Sequence, residues 1–128
     1  MTTRAVRSVV AAAAAAILIS ALATLAVAEP QRSTPVRATK TVKGIGTSWS
    51  PTIVRISKGD AIRWKAVSGT HTVTAYGGNW RFDRSLATGD VVRRTFKHAG
   101  TFRFRCRIHS TLVNGVCSGM CGKAVVRR

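Results

Sequence analysis

The sequence predicts an all-β sandwich. Short apolar runs recur along the chain, several of them alternating with period two. Gly, Pro and Asp punctuate these runs at short, regular intervals, the pattern of many short strands joined by turns. The chain length suits one domain with one modest core. The clearest run begins at Phe102. There Phe102, Phe104 and Cys106 share one face, while Arg103, Arg105 and Arg107 share the other, as expected when one face is buried.

Taken in order, residues 1–28 read as a leader outside the fold. Arg4 and Arg7 precede a long uncharged Ala/Ile/Leu/Val run that ends in Ala26-Val27-Ala28, the small-x-small pattern of a cleaved secretory signal peptide. An uncleaved membrane anchor is the rival reading, since the run is long enough to span a bilayer. Residues 29–128 are then expected to form a single domain that is secreted, periplasmic or cell-surface. Glu29 to Thr39, with Pro30 and Pro35, reads as a tether or an early edge strand that Lys40 to Gly46 extends. Pro51 lacks an N–H for a ladder, so a strand starts there or runs at an edge. Val54 and Ile56 alternate with Arg55 and Ser57, and Gly59-Asp60 marks a turn. Ile62 and Trp64 alternate with Arg63 and Lys65, and His71 opens a short strand through Ala75. Tyr76 to Asp90 predicts a long loop with one helical turn at Arg84 to Ala87. Val91 to Phe96 and Thr101 to Cys106 predict a hairpin about Ala99-Gly100, and Lys123 to Val126 closes the sheet.

The stretch from Phe102 to Val126 carries the chemistry. Its strand delivers a thiol, Cys106, on the core side. His109 follows three residues later, and Met120 lies further on between Gly119 and Cys121. A thiolate, an imidazole and a thioether form a soft donor set. One more imidazole would complete the two-His, one-Cys, weak-Met environment that suits copper. Of the remaining histidines, His71 opens a strand after the loop Ser68-Gly69-Thr70, whereas His98 lies in the tight turn Lys97-His98-Ala99-Gly100 and reads as solvated.

These pieces resemble the cupredoxins of the plastocyanin/amicyanin-like group over roughly Val36 to Val126. The matching stretches are Ser50 to Asp60 leading into Ala61-Ile62-Arg63-Trp64, then Gly69-Thr70-His71-Thr72-Val73, Ala99 to Cys106, His109 and Gly119-Met120. The resemblance implies a Greek-key β-sandwich with one type I copper ion held by His71, Cys106, His109 and Met120. It also implies that His109 reaches the surface and passes the electron, with Leu112 and Val113 as a docking patch or as loop packing. Loops of the group place Met a few residues after the second His; here Ser110 to Gly119 intervene.

Three cysteines are an odd number for an exported chain. If Cys106 serves a metal, Cys117 and Cys121 are left for a disulfide. Two rivals stand beside this. Cys106 could be a buried free thiol, or all three cysteines with His109 could hold zinc.

The chain carries 21 Lys and Arg against four Asp and Glu, a formal charge of +17 that falls to +15 if Arg4 and Arg7 leave with the leader. Such a charge draws anionic partners. Arg103, Arg105 and Arg107, with Arg93 and Arg94 on the preceding strand, read as a positive stripe suited to an acidic redox partner or an anionic envelope surface. No nucleic-acid motif is visible, and no small-molecule substrate is expected. The expected function is an exported copper protein that cycles one electron between Cu(I) and Cu(II). The alternatives are copper capture and delivery, or a metal-free module that binds polyanions. A copper enzyme is disfavoured because no second His cluster exists for a catalytic ion.

Overall fold

The computed structural model describes residues 25–30 and 34–128. Most of the expected leader, residues 1–24, therefore lies outside the described residues. Nine strands follow in chain order: β1 Thr39–Ile45, β2 Ser48–Ser50, β3 Ile53–Ser57, β4 Ala61–Ser68, β5 His71–Tyr76, β6 Asp83–Leu86, β7 Val91–Thr95, β8 Gly100–Val113 and β9 Val116–Arg127. They form two sheets, β2-β1-β4-β7 and β3-β9-β8-β5-β6. The sandwich is therefore all-β, as the alternating runs predict. Two of the ladders, β1 with β4 and β3 with β9, are parallel.

The core lies between the inner faces. Val42, Ile62, Trp64 and Ala66 face inward from one sheet, and Val54, Val73, Phe104 and Ala124 from the other; all are buried. Trp64 and Phe104 are both fully enclosed and meet edge to face with centroids 5.3 Å apart, a geometry that adds to the area they bury. Arg63 and Lys65 on β4 and Arg55 on β3 point outward, completing the alternation.

Two local expectations are corrected. Arg84 to Ala87 is not a helical turn: Asp83–Leu86 is a strand, paired antiparallel to β5 from His71↔Leu86 to Thr74↔Asp83. Edge pairing with β5 outweighs the local turn signals, and Leu86 is buried as its reward. Val91–Thr95 and β8 also do not form a hairpin. β7 pairs with β4, from Ala61↔Thr95 to Lys65↔Val91, whereas β8 belongs to the other sheet. The connection through Ala99 crosses from sheet to sheet, so Arg93 and Arg103 lie on different sheets and the expected stripe divides in two.

Between β3 and β4, Asp60 holds the turn. Its Oδ2 accepts the Ser57 N–H and its Oδ1 accepts the Ala38 N–H, each at 2.9 Å. The Ser57 N–H, then that of Ala38, with Arg37 and Lys40 nearby, holds this carboxyl below the ordinary value of 3.8. A carboxyl lowered on folding contributes stability above its unfolded value, and that contribution fades as pH falls through the folded one. Asp60→Asn is expected to lower stability at neutral pH and to make the decline below pH 3.8 shallower than in the native chain, measured by urea titration across acid pH. Parallel curves would contradict this role.

Candidate metal centre

Three donor side chains converge at one end of the sandwich. Cys106 is fully buried on β8, on the same face as Phe102 and Phe104. His71, the first residue of β5, is also fully buried, and His109 is half-buried. Their ligating atoms lie within 4.8 Å of one another. Cys106 Sγ is 3.5 Å from His109 Nδ1 and 4.0 Å from His71 Nδ1. The imidazole rings meet at 5.3 Å, edge to face.

Each donor is held by its surroundings. The Nε2–H of His71 donates to the Ser68 carbonyl at 2.8 Å. A carbonyl only accepts, so in the neutral ring the lone pair falls on Nδ1, which faces the sulfur. Trp49 packs on the same ring at 5.7 Å. Behind it sits Gly44, where a Cβ would come within 2.8 Å of His71 Cδ2, so only glycine leaves the ring its place.

The sulfur of Cys106 accepts the Thr72 N–H at 3.4 Å. The next peptide is fixed as well: Arg107 N–H donates to Thr72 Oγ1 at 2.8 Å. Thr72 then donates to Thr74 Oγ1 at 3.0 Å, because the Thr74 hydroxyl is committed to Asp83 Oδ1 at 2.8 Å. Asp83 also pairs with the Arg107 guanidinium at 3.2 Å. This pair is exposed and contributes little stability of itself, about 0–1 kcal/mol. Its effect is positional, since it ends a chain of bonds that begins at the Cys106–Arg107 peptide.

Met120 is placed by an irregularity in the β8–β9 ladder. Arg105 pairs with Cys121 and Ser110 pairs with Gly119, so residues 106–109 bulge opposite Met120 alone. Met120 is 1% exposed. The segment expected as a loop after His109 is instead a hairpin, with Leu112↔Cys117 and Val113↔Val116 flanking the turn Asn114-Gly115. Both turn residues have positive φ, 49° and 77°, as a two-residue I′ turn requires.

Cys117 and Cys121 form a disulfide with Cα atoms 6.1 Å apart. Four residues of extended strand would span about 13 Å, so β9 must fold back between them. It does so at Gly119, with φ +95°, where a Cβ would come within 2.5 Å of the His109 carbonyl oxygen. The disulfide removes both thiols that the zinc alternative needed and leaves Cys106 as the free cysteine. Gly119→Ala combines a disfavoured backbone conformation, about 1–2 kcal/mol, with a backbone collision. It is expected to displace His109 and to weaken metal binding by about 10-fold or more, measured by competition with a chelator of known affinity.

The other expected residues fall as follows. Leu112 and Val113 are exposed on the hairpin, joined by Ile108 and Val116, which the sequence reading did not single out. Arg103 is exposed and lies directly opposite Lys123. Arg105 is half-buried, and its Nη1 donates to the Ser110 carbonyl and hydroxyl at 3.5 and 3.4 Å, so it braces the hairpin. His98 is exposed in its turn, away from the cluster.

The donor set fits a thiophilic ion. Nitrogen and thiolate bonds of about 2.1 and 2.3 Å at a trigonal centre would place N and S about 3.8 Å apart, between the two observed separations.

No protein-family profile matches the chain, and no curated protein does. Solved structures do. A Cu-containing nitrite reductase from Thermus scotoductus SA-01 matches with TM-score 0.59 and 22% identity over 70% of this chain. This chain spans only 22% of that enzyme's length. A reduced mutant amicyanin matches with TM-score 0.58 and 20% identity, covering 70% of this chain and 82% of amicyanin. A second reduced amicyanin mutant gives TM-score 0.59 at 19% identity, with the same coverage. With two sheets in this order and a His-Cys-His cluster beside a buried Met at one end, the chain has the cupredoxin fold.

Proposed function

We propose that the protein is an exported one-electron carrier in which His71, Cys106, His109 and Met120 would hold a single copper. The observation that carries this reading is the placement of one buried thiol between two imidazole nitrogens that the fold already aims at it. Copper held there would supply a one-electron couple between its cuprous and cupric states. Amicyanin, which shares the fold, has been solved in a reduced Cu(I) form.

The chain's own groups serve such a couple. The Ser68 carbonyl and Trp49 keep His71 from turning, so the donor atoms need little rearrangement when the charge changes. The Thr72 N–H, directed at the sulfur, fixes the position of the Cys106 side chain. Half-exposed His109 gives the buried site an outlet; its neighbour Ile108 is exposed, as are Leu112, Val113 and Val116 on the hairpin that follows. Asp60, Asp83 and Asp90 are occupied by internal hydrogen bonds. Lys and Arg outnumber Asp and Glu by 21 to 4, a net positive charge that supports an acidic redox partner. The leader supports export.

The test is to load the purified chain with copper and record its optical and paramagnetic-resonance spectra through a reduction cycle. One copper per chain, an intense visible band that bleaches reversibly and retention of metal throughout are the expected results. Loss of metal on each reduction would favour copper delivery instead, and failure to bind would overturn the reading.

A further inference from the structure

At the end of the sandwich opposite the metal centre lies a cavity of about 520 Å³, within the size range of small-ligand sites. Its floor is aromatic. Trp80, Phe96 and Phe102 line it, with Trp80 5.5 Å from Phe96 and 6.0 Å from Phe102. Phe96 and Phe102 are buried, while Trp80 is partly exposed and its indole N–H is fixed on the Arg103 carbonyl at 2.8 Å. The indole is therefore held in one orientation, with one face stacked on Phe82 at 5.8 Å and its remaining exposed surface lining the cavity. Around the rim stand Arg94, Lys97 and His98, together with Asn79 and Thr95. Arg94 lies over the Phe82 ring, and among the described residues no acid pairs with it or with Lys97. A second cavity of about 380 Å³ shares Thr95 and Lys97 with the first and adds Arg37 and Lys58. Apart from Arg94, which belongs to the cationic stripe, the electron-transfer reading uses none of these groups.

We propose that this cleft binds an acidic oligosaccharide. The C–H face of one sugar ring packs on Trp80, its hydroxyls meet Asn79 and Thr95, and its carboxylate and that of the next ring meet Arg94 and Lys97. The chain of sugars continues past Lys97 toward Arg37 and Lys58. An aromatic floor alone would suit any apolar ring. The cationic rim demands negative charge, the uncharged polar groups suit hydroxyls, and the second cationic cavity calls for a ligand that repeats its charge along its length.

The experiment is isothermal titration of the full chain with tetragalacturonate and, separately, with neutral maltotetraose. Tetragalacturonate is expected to bind at one site per chain, and maltotetraose at least tenfold more weakly. Arg94→Gln with Lys97→Gln should weaken tetragalacturonate at least tenfold and leave any copper spectrum unchanged. Lys43→Gln with Arg63→Gln removes the same charge from the outward face of β1 and β4 and should change affinity less than twofold. Equal weakening by both pairs would show diffuse charge attraction and overturn the site. Trp49 and Trp64 are buried, so quenching by acrylamide reports chiefly on Trp80. Bound tetragalacturonate should shield it, and unchanged quenching would overturn the stacking. The site lies at the far end from His71 and Cys106, so loss of copper binding would leave it standing, and its failure would leave the metal reading intact.

Discussion

Replacing Cys106 with serine is expected to abolish the intense visible band of the copper-loaded protein and to lower copper affinity by more than about 100-fold, beyond the loss typical of supporting residues. Serine is isosteric enough to keep the bond from the Thr72 N–H. Its oxygen is a hard donor and is protonated at neutral pH, whereas the role needs a soft thiolate. The substitution thus removes the donor while sparing the pocket. The metal-free variant should unfold within about 1–2 kcal/mol of the native chain, which separates loss of ligation from loss of fold. A serine variant that keeps the same colour would contradict the assignment of Cys106.

Phe104→Ala is expected to be the most destabilising single change, at about 3–5 kcal/mol, read from the urea midpoint of metal-free protein. Phe104 is fully buried and meets Trp64 at 5.3 Å and Trp49 at 5.7 Å, both edge to face. The cavity left behind cannot close easily, because both indoles are themselves wedged between the sheets. A loss of this size is a large part of the roughly 5–15 kcal/mol that holds a typical domain. The effect should reach the candidate metal centre, since Trp49 also packs on His71. Val116→Ala, on the exposed hairpin, should stay within about 0.5 kcal/mol. A Phe104 variant as stable as that control would mean that the two sheets do not meet where the structure brings them together.

Much of this architecture was legible because alternation is a local signal. The burial of Phe102, Phe104 and Cys106 follows from the period of two, and the turn at Gly59-Asp60 from its residue types. The soft donors at Cys106, His109 and Met120 could be grouped from the sequence because they are near one another along the chain. His71 could be added because a strand begins there and because His98 sits in an evident turn. What failed was long-range. Nothing local distinguishes a hairpin between β7 and β8 from a crossover between sheets, and nothing near Arg84 announces the edge of β5. The hairpin after His109 does carry a local signal: Asn114-Gly115 flanked by Val113 and Val116 is a strong two-residue turn pattern. The bracing of the centre by Ser68, Thr72 and Gly44 has no such signature. It depends on a carbonyl, an N–H and an absent Cβ, which only the folded chain brings to the spot.

The pairing within β9 has a consequence for how the chain survives oxidation. Three thiols can be joined two at a time in three ways, and two of those ways would consume Cys106. Cys117 and Cys121 are neighbours along the backbone, and a glycine lets the strand double back between them. Each is therefore at far higher effective concentration to the other than to Cys106, whose sulfur is enclosed by the sandwich. The short-range bond removes both thiols with which Cys106 could pair and leaves the third one free.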